Sequence, residues 1–315
     1  MDGINTVEWM VIVNPNAGSG KGKRDWGTIS ALLIKHGISY KNVFTVCPKH
    51  AIQLAHDCIL QGFRNFIVVG GDGTLNEVVN GVFSQAICPS LEIVLAMIAV
   101  GTGNDWGKMF SIPHSYEESI RIIRNRKVRP QDVGIIEYIN ENQPEKRYFL
   151  NIAGMGFDAL VVQRTNRQKE MGKNSKAIYL INLLRSLMIY RPAHIDLEID
   201  GQKISRDFFT ISVGIGRYSG GGMLQTPNAI PDDGLFDITI IKRIGKGDII
   251  LSLKKLYDGS ILKHRKIEGY KAREIRIESN PLIYIEADGE TLGNSPSGIR
   301  ILPKSIGIVY EHFPE

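Results

Sequence analysis

From Trp9 to about residue 125 the apolar positions fall in short unbroken runs separated by stretches of helical spacing. Trp9-Met10-Val11-Ile12-Val13, Val43-Phe44-Thr45-Val46, Phe66-Ile67-Val68-Val69 and Ile93–Val100 read as four strands. Between them Ile29, Leu32, Leu33 and His36 keep helical spacing, and Leu75–Phe83 reads as another helix. Ala51, Leu54, Ala55, Cys58 and Ile59 recur at i, i+3, i+4, i+7 and i+8, the pattern of an amphipathic helix. Strands that are apolar throughout and alternate with helices predict a parallel sheet covered on both faces, a Rossmann-like α/β domain.

From about Val128 the period changes to two. Ile195, Leu197 and Ile199 alternate up to Asp200-Gly201, a hairpin dipeptide, and Phe208–Val213 follows. Alternation returns in Phe236–Ile240, Ile275–Ile277 and Ile283–Ile285, interrupted by helical stretches at Ser175–Ile189 and Lys246–Tyr257. This half predicts an antiparallel β-sandwich. Pro130 marks the expected boundary, giving domains at 1–128 and 129–300.

Composition narrows the class. The 315 residues, 43% hydrophobic and 23% charged, suit two cored globular domains without repeats or low-complexity runs. Ile93–Val100 is the longest apolar run, and Ala177–Tyr190 is broken by Asn182, Arg185 and Ser186, so no segment is expected to span the ~30 Å of a bilayer core. Met1–Asn5 has neither a basic nor an apolar leader pattern, and Cys47, Cys58 and Cys88 lack metal spacing, which predicts a soluble cytoplasmic protein with reduced thiols. The net charge of +5 favours acidic partners, phosphates or an anionic membrane surface. Basic residues are dispersed without an aromatic-basic stripe, which argues against nucleic acid.

Three predicted strands run into glycine-rich loops: Asn14-Pro15-Asn16-Ala17-Gly18-Ser19-Gly20 after the first, Gly70-Gly71-Asp72-Gly73-Thr74-Leu75-Asn76-Glu77 after the third and Gly101-Thr102-Gly103-Asn104-Asp105 after the fourth. Ligands of open parallel sheets bind beyond the carboxyl ends of strands, where helix N-termini offer N–H groups to anions. The first loop is not a Walker A motif, because Lys21 is followed by Gly22, and it fails the dinucleotide fingerprint at Lys23. In the second loop the glycines allow a polyphosphate close to the backbone, and Asp72 would repel it unless a divalent cation lies between. A helix-capping role for Asp72 is the plainer alternative.

Gly70–Gly81 resembles the signature of the diacylglycerol kinase catalytic domain, and the two other loops resemble its nucleotide loops in the right order. Asn151–Ala159, Pro231–Asp237 and Asp288-Gly289-Glu290 are similar to blocks of the same bacterial lipid kinase family, so the likeness covers essentially the whole chain. The resemblance implies a fold like that of the NAD and diacylglycerol kinases, in which about 301–315 returns to complete the first domain. It implies ATP contacts at Asn14, Pro15, Asn16, Ala17, Gly18, Thr45, Gly70, Gly71, Asp72, Gly73, Thr74, Leu75 and Thr102. It further implies Mg²⁺ held by Asp233 with the carbonyls of Ile230 and Leu235, and Glu290, or Asp72, as acceptor of the substrate proton. By residue pattern alone, Asp233-Gly234 and Asp288-Gly289 read equally as tight turns. Ala99 stands where the family favours proline, and Thr291 likewise follows Glu290.

The expected activity is transfer of the γ-phosphoryl group of ATP to a hydroxyl of a diacylglycerol-like or sphingoid lipid in an interdomain cleft. The expected partner is that lipid, with transient contact at the inner membrane surface and a homodimer left open. An NAD kinase acting on a polar substrate and a non-catalytic nucleotide- or lipid-binding regulator are the alternatives.

Overall fold

The computed structural model describes residues 7–170 and 176–314, without the side chains at 169, 170, 176–180, 250, 251 and 253. The expectations for Met1–Asn5 and Ser175, and those for side chains 177–180, lie outside the described residues. Contacts divide the chain into two units, 1–132 with 304–315, and 133–303.

The first unit contains strands β1 (Trp9–Val13), β2 (Tyr40–Phe44), β3 (Asn65–Gly70) and β4 (Val94–Ala99), with helices α1 (Ala17–Lys35), α2 (His50–Leu60), α3 (Asp72–Ser84), α4 (Asp105–Met109) and α5 (Tyr116–Asn125). The strands are parallel in the order β2-β1-β3-β4, and Gly307-Ile308 of the last strand lie parallel to β4. Every residue of β1 and β4 is buried. Val11, Val13, Ile67, Val69, Ala96 and Ile98 pack with Ile29 and Leu33 of α1 and Ile120 and Ile123 of α5. The intervening residues Met10, Ile12, Phe66, Val68, Leu95 and Met97 are buried as well, so the unbroken apolar strands are covered on both faces.

The second unit holds β6 (Gln143–Phe149) and β7 (Ile152–Gly156), helices α6 (Phe157–Glu170) and α7 (Lys176–Ile189), then β8 (Ala193–Ile199) and β9 (Gln202–Gly214). The short strands β10 (Tyr218–Ser219) and β11 (Met223–Leu224) follow, then β12 (Phe236–Lys242), α8 (Lys246–Tyr257), β13 (Ile267–Ala272), β14 (Glu274–Asn280) and β15 (Tyr284–Ala287). Strands β5 (Val128–Asn140) and β16 (Glu290–Val309) each cross a division between the units. No loop linker marks either crossing, and Pro130 lies inside β5.

The pairing in this unit is antiparallel. Gln202–Phe208 of β9 runs against β8, whereas Phe208–Gly214 runs between β7 and β12. Strand β16 behaves alike, pairing β15 near Thr291 and β14 at Ser297–Arg300. Strands that change partners along their length hold two layers together as a sandwich. Phe208, Ile211, Val213, Phe236, Ile238, Ile275, Ile277 and Ile299 are part of the core. Asp200-Gly201 closes the β8–β9 hairpin with φ of 45° and 86°, the type I′ geometry its sequence predicts.

Candidate active site

The glycine loops after β1, β3 and β4 meet at the carboxyl edge of the parallel sheet. In the first loop Gly18, Ser19 and Gly20 have φ of 60°, 58° and 84°, so regular helix begins only after them. A Cβ on Gly18 would stand 2.0 Å from the carbonyl oxygen of Val100, which ties this loop to the end of β4. The Asn14 side chain donates from Nδ2 to Thr74 Oγ1 at 2.9 Å and accepts the Asn16 N–H at 3.0 Å, linking the first and second loops. The second and third loops touch through backbone: a Cβ on Gly101 would lie 2.7 Å from the Gly71 Cα. Thr45 is buried just past β2 and donates its N–H to the Val13 carbonyl at 2.9 Å. Thr102 is exposed.

Helix α3 begins at Asp72, two residues ahead of Thr74, with the extended Gly71 at its N-cap. Its first N–H groups lack helical acceptors and lie in the loop that the sequence assigns to polyphosphate. The Asp72 carboxylate is half-buried and engaged: Oδ2 accepts the Asp105 N–H and Oδ1 the Trp106 N–H, each at 3.1 Å. It caps the short helix α4 across the gap between the second and third loops. Glu77 acts similarly one turn along, taking the N–H groups of Lys49 and Ala51 at the start of α2. The polar residues of Gly70–Glu77 therefore hold neighbouring elements in register as well as facing the loop.

The second unit gathers four carboxyl groups around the turn between β15 and β16. Asp288 and Gly289, with φ of 50° and 80°, form a two-residue hairpin in which Ala287 pairs with Glu290. Asp288 accepts the backbone N–H groups of Leu150, Asn151 and Ile152 at 2.9, 3.0 and 3.2 Å. Glu286 is buried, and Oε2 takes the Gly289 N–H at 2.9 Å. Burial drives its pKa well above the carboxylate range; that N–H opposes the shift, and Asp158, Asp288 and Glu290 reinforce it. Asp158 of α6 is raised too, first by burial, with the hydroxyls of Thr210 and Ser212 opposing. A Cβ on Gly154 would lie 2.6 Å from Glu286 Oε1 and 3.3 Å from the Asp158 Cβ, so the absent side chain makes room between the two. Glu290 is the exposed member of the group.

Residues 8–136 match the diacylglycerol kinase catalytic domain, and 151–310 match the YegS C-terminal NAD kinase beta sandwich-like domain. The chain belongs to the diacylglycerol kinase family. The diacylglycerol kinase of Bacillus subtilis is 27% identical over 95% of both chains, and that of Mycobacterium tuberculosis H37Rv 28% over 95% of this chain and 93% of the relative. A Bacillus anthracis protein provisionally named a diacylglycerol kinase superposes with a TM-score of 0.79 at 26% identity over 98% of each chain. Yeast NADH kinase shares the fold alone, with a TM-score of 0.54 at 11% identity, covering 98% of this chain and 85% of that one.

The diacylglycerol kinase resemblance puts Mg²⁺ at Asp233, where the structure places the Lys271 ammonium. Asp233 Oδ2 holds the Lys271 ammonium at 2.9 Å, and Oδ1 accepts the Leu235 N–H at 3.0 Å. A cation at this carboxylate would displace the Lys271 ammonium, whereas the Leu235 N–H leaves Oδ1 a lone pair to spare. Among the described residues no cluster of three or more His, Cys, Asp or Glu side chains is arranged to hold a metal. Asp158, Glu286 and Lys271 escaped the sequence reading. Alternation along Ile283–Ala287 assigns Glu286 to the face away from the core, where α6 packs on β15 and Glu286 is buried.

Proposed function

We propose that the chain transfers the γ-phosphoryl group of ATP to a free hydroxyl of a glycerolipid or related lipid. The observation that carries this reading is the junction of three glycine loops at one sheet edge, sealed by contacts that leave no room for side chains at Gly18 or Gly101. Backbone N–H groups at the start of α3 supply anion binding there, and Asn14, Thr45, Thr74 and Thr102 border the nucleotide. Phosphoryl transfer depends mainly on positioning and charge neutralisation. The lipid hydroxyl oxygen bonds to the γ-phosphorus as the bond to the β,γ-bridging oxygen breaks, and ADP departs. The hydroxyl proton passes to a carboxylate.

Glu290, the exposed carboxyl group of the β15–β16 hairpin, is the candidate for that role that the family resemblance implies. Beside it Asp288 is committed to three backbone N–H groups and Glu286 is buried. Mg²⁺ accompanying the nucleotide would supply charge neutralisation at the phosphates, and Asp72, at the head of α3, would orient it through water. Incubation with radiolabelled ATP and a panel of diacylglycerol, monoacylglycerol, sphingoid base, ceramide, phosphatidylglycerol and NAD in mixed micelles tests the reading. Label entering a lipid supports it, and label entering only NAD, or nothing, refutes it.

A further inference from the structure

Strand β2 is the outer edge of the parallel sheet, with β1 as its strand neighbour. The loop after it, residues 45–49, opens at the same carboxyl edge as the three glycine loops, since β2 runs parallel to β1 and Thr45 donates its N–H to the Val13 carbonyl at 2.9 Å. Thr45 is buried, and residues 46–49 are exposed. This loop has no glycine and no strand on its outer side, and two side chains hold it.

His50 accepts the Val46 N–H on Nδ1 at 3.1 Å, which fixes the ring as the tautomer with its proton on Nε2. From α3, Glu77 takes the Lys49 N–H on Oε1 at 2.9 Å and the Ala51 N–H on Oε2 at 3.1 Å. Lys49 precedes α2 and has no acceptor in its side chain with which to cap it. The other two N–H groups at the start of α2 go to carbonyls, His50 to Cys47 at 3.3 Å and Ile52 to Lys49 at 3.2 Å, so the Glu77 carboxylate completes the helix end from outside. Lys49 has φ of 66°, a left-handed conformation uncommon for a residue with a side chain. Such a conformation persists where the surroundings over-determine it, as Glu77 does here.

Glu77 stands on the helix whose own N-terminus lies in the polyphosphate loop. One turn further along α3, a Cβ on Gly81 would lie 2.4 Å from the Ile52 carbonyl oxygen, so α2 and α3 meet without space between them. Strand β2 is two strand spacings, about 10 Å, from β3. A triphosphate seated at the start of α3 therefore has room to extend its nucleoside toward the β2 loop.

We propose that His50 and Glu77 are positioning residues for ATP: they hold residues 45–49 in the shape that receives the nucleoside end, and Glu77 ties that shape to the helix that binds the phosphates. The proposal deepens the kinase reading and rests on it for the identity of the nucleotide. Neither side chain has to touch ATP. They set the fraction of molecules whose loop is already competent, and apparent affinity falls in proportion to that fraction.

The test is calorimetric titration of the full chain with ATP and Mg²⁺ in the absence of lipid, beside initial rates at varied ATP with whichever lipid of the panel takes label. Glu77→Ala is expected to raise the Kd and KM for ATP about tenfold and His50→Ala about threefold, with kcat at saturating ATP changed by less than about twofold. His50→Asn, whose Oδ1 stands where Nδ1 stood, is expected to recover wild-type affinity. His50→Ala leaves both Glu77 contacts in place, so it decides the matter if Glu77→Ala fails to fold. A pair that served stability alone would lower the melting temperature and leave the ATP Kd of the folded protein unchanged. That result overturns the proposal, as does a fall in kcat larger than the rise in KM. Wild type that binds no ATP overturns both readings. ATP binding weakened in the variants without phosphorylation of any lipid overturns the kinase reading and keeps the positioning pair. Lipid phosphorylation with an unchanged ATP KM in both alanine variants does the reverse.

Discussion

Substituting Asp72 separates two duties that its position combines. The carboxylate accepts the Asp105 and Trp106 N–H groups at the start of α4, and a Cβ on Gly103 would come within 3.2 Å of Oδ2. Asp72→Ala removes both acceptors at once. A hydrogen bond to a charged group contributes about 1.5–3 kcal/mol, and discounting for the half-exposed position leaves about 1–3 kcal/mol for the pair. For a unit of this size that is a fall of about 3–10 °C in melting temperature. Asp72→Asn retains one acceptor oxygen but turns an NH₂ group toward the other N–H, so it should fall between wild type and alanine. If capping were the whole role, lipid phosphorylation would decline in proportion to the lost order of the third loop, with asparagine well ahead of alanine. If the charge also orients the metal-bound nucleotide, asparagine should lose about 10²-fold or more in kcat despite its smaller thermal penalty. Differential scanning calorimetry beside initial rates with saturating ATP reads both quantities. An Asp72→Ala protein that melts with wild type would refute the capping argument, and an asparagine variant with near-normal kcat would remove the charge from the mechanism.

Glu290→Gln keeps the hairpin and removes basicity, so kcat should fall about 10²-fold with the Kd for ATP unchanged; near-normal turnover in a stopped assay would hand the proton to Asp72 or water. Lys271→Met uncovers Asp233 Oδ2, and the variant, unlike wild type, should gain thermal stability on adding Mg²⁺ and lose it on adding EDTA. A variant indifferent to Mg²⁺ would show that this loop does not hold the ion even when vacated. Asp237 is buried beside Asp233 and Lys271, and burial pushes its pKa up to about 6 against the attraction of Lys271. Its stabilisation is therefore fully present below about pH 4 and lost as pH rises through 6, and Asp237→Asn should flatten that part of a stability-pH curve measured by urea titration. A slope unchanged by the substitution would remove Asp237 as its source.

The first unit was largely legible because its strands are apolar at every position and need no partner to be recognised. The run Trp9–Val13 is the strand β1 residue for residue, and the glycine loops follow the strands that position them. The second strand was misplaced because Tyr40-Lys41-Asn42 carries no apolar run; pairing of all three with β1 makes them strand. In the second unit the alternating segments were visible, but β6, Gln143–Phe149, is mostly exposed and polar and gave no periodic signal. The carboxyl groups show the same division. Asp72 and Glu290 stand out beside glycines, whereas Asp158 and Glu286 become unusual only when α6 closes over the sheet, a tertiary event with no local pattern.

The hairpin that presents Glu290 has no hinge of its own. Asp288 is stitched to the first residue of β7 and the two residues before it, and Asn166 of α6 holds the Gly289 carbonyl at 2.9 Å. Such a turn cannot flap as a surface loop does, and its carboxylate is carried by β7, β15 and α6 as a single block. The amides of Leu150, Asn151 and Ile152 consequently become reporters of the hairpin's position: their hydrogen exchange should be slow, and its rate should track any opening that displaces Glu290.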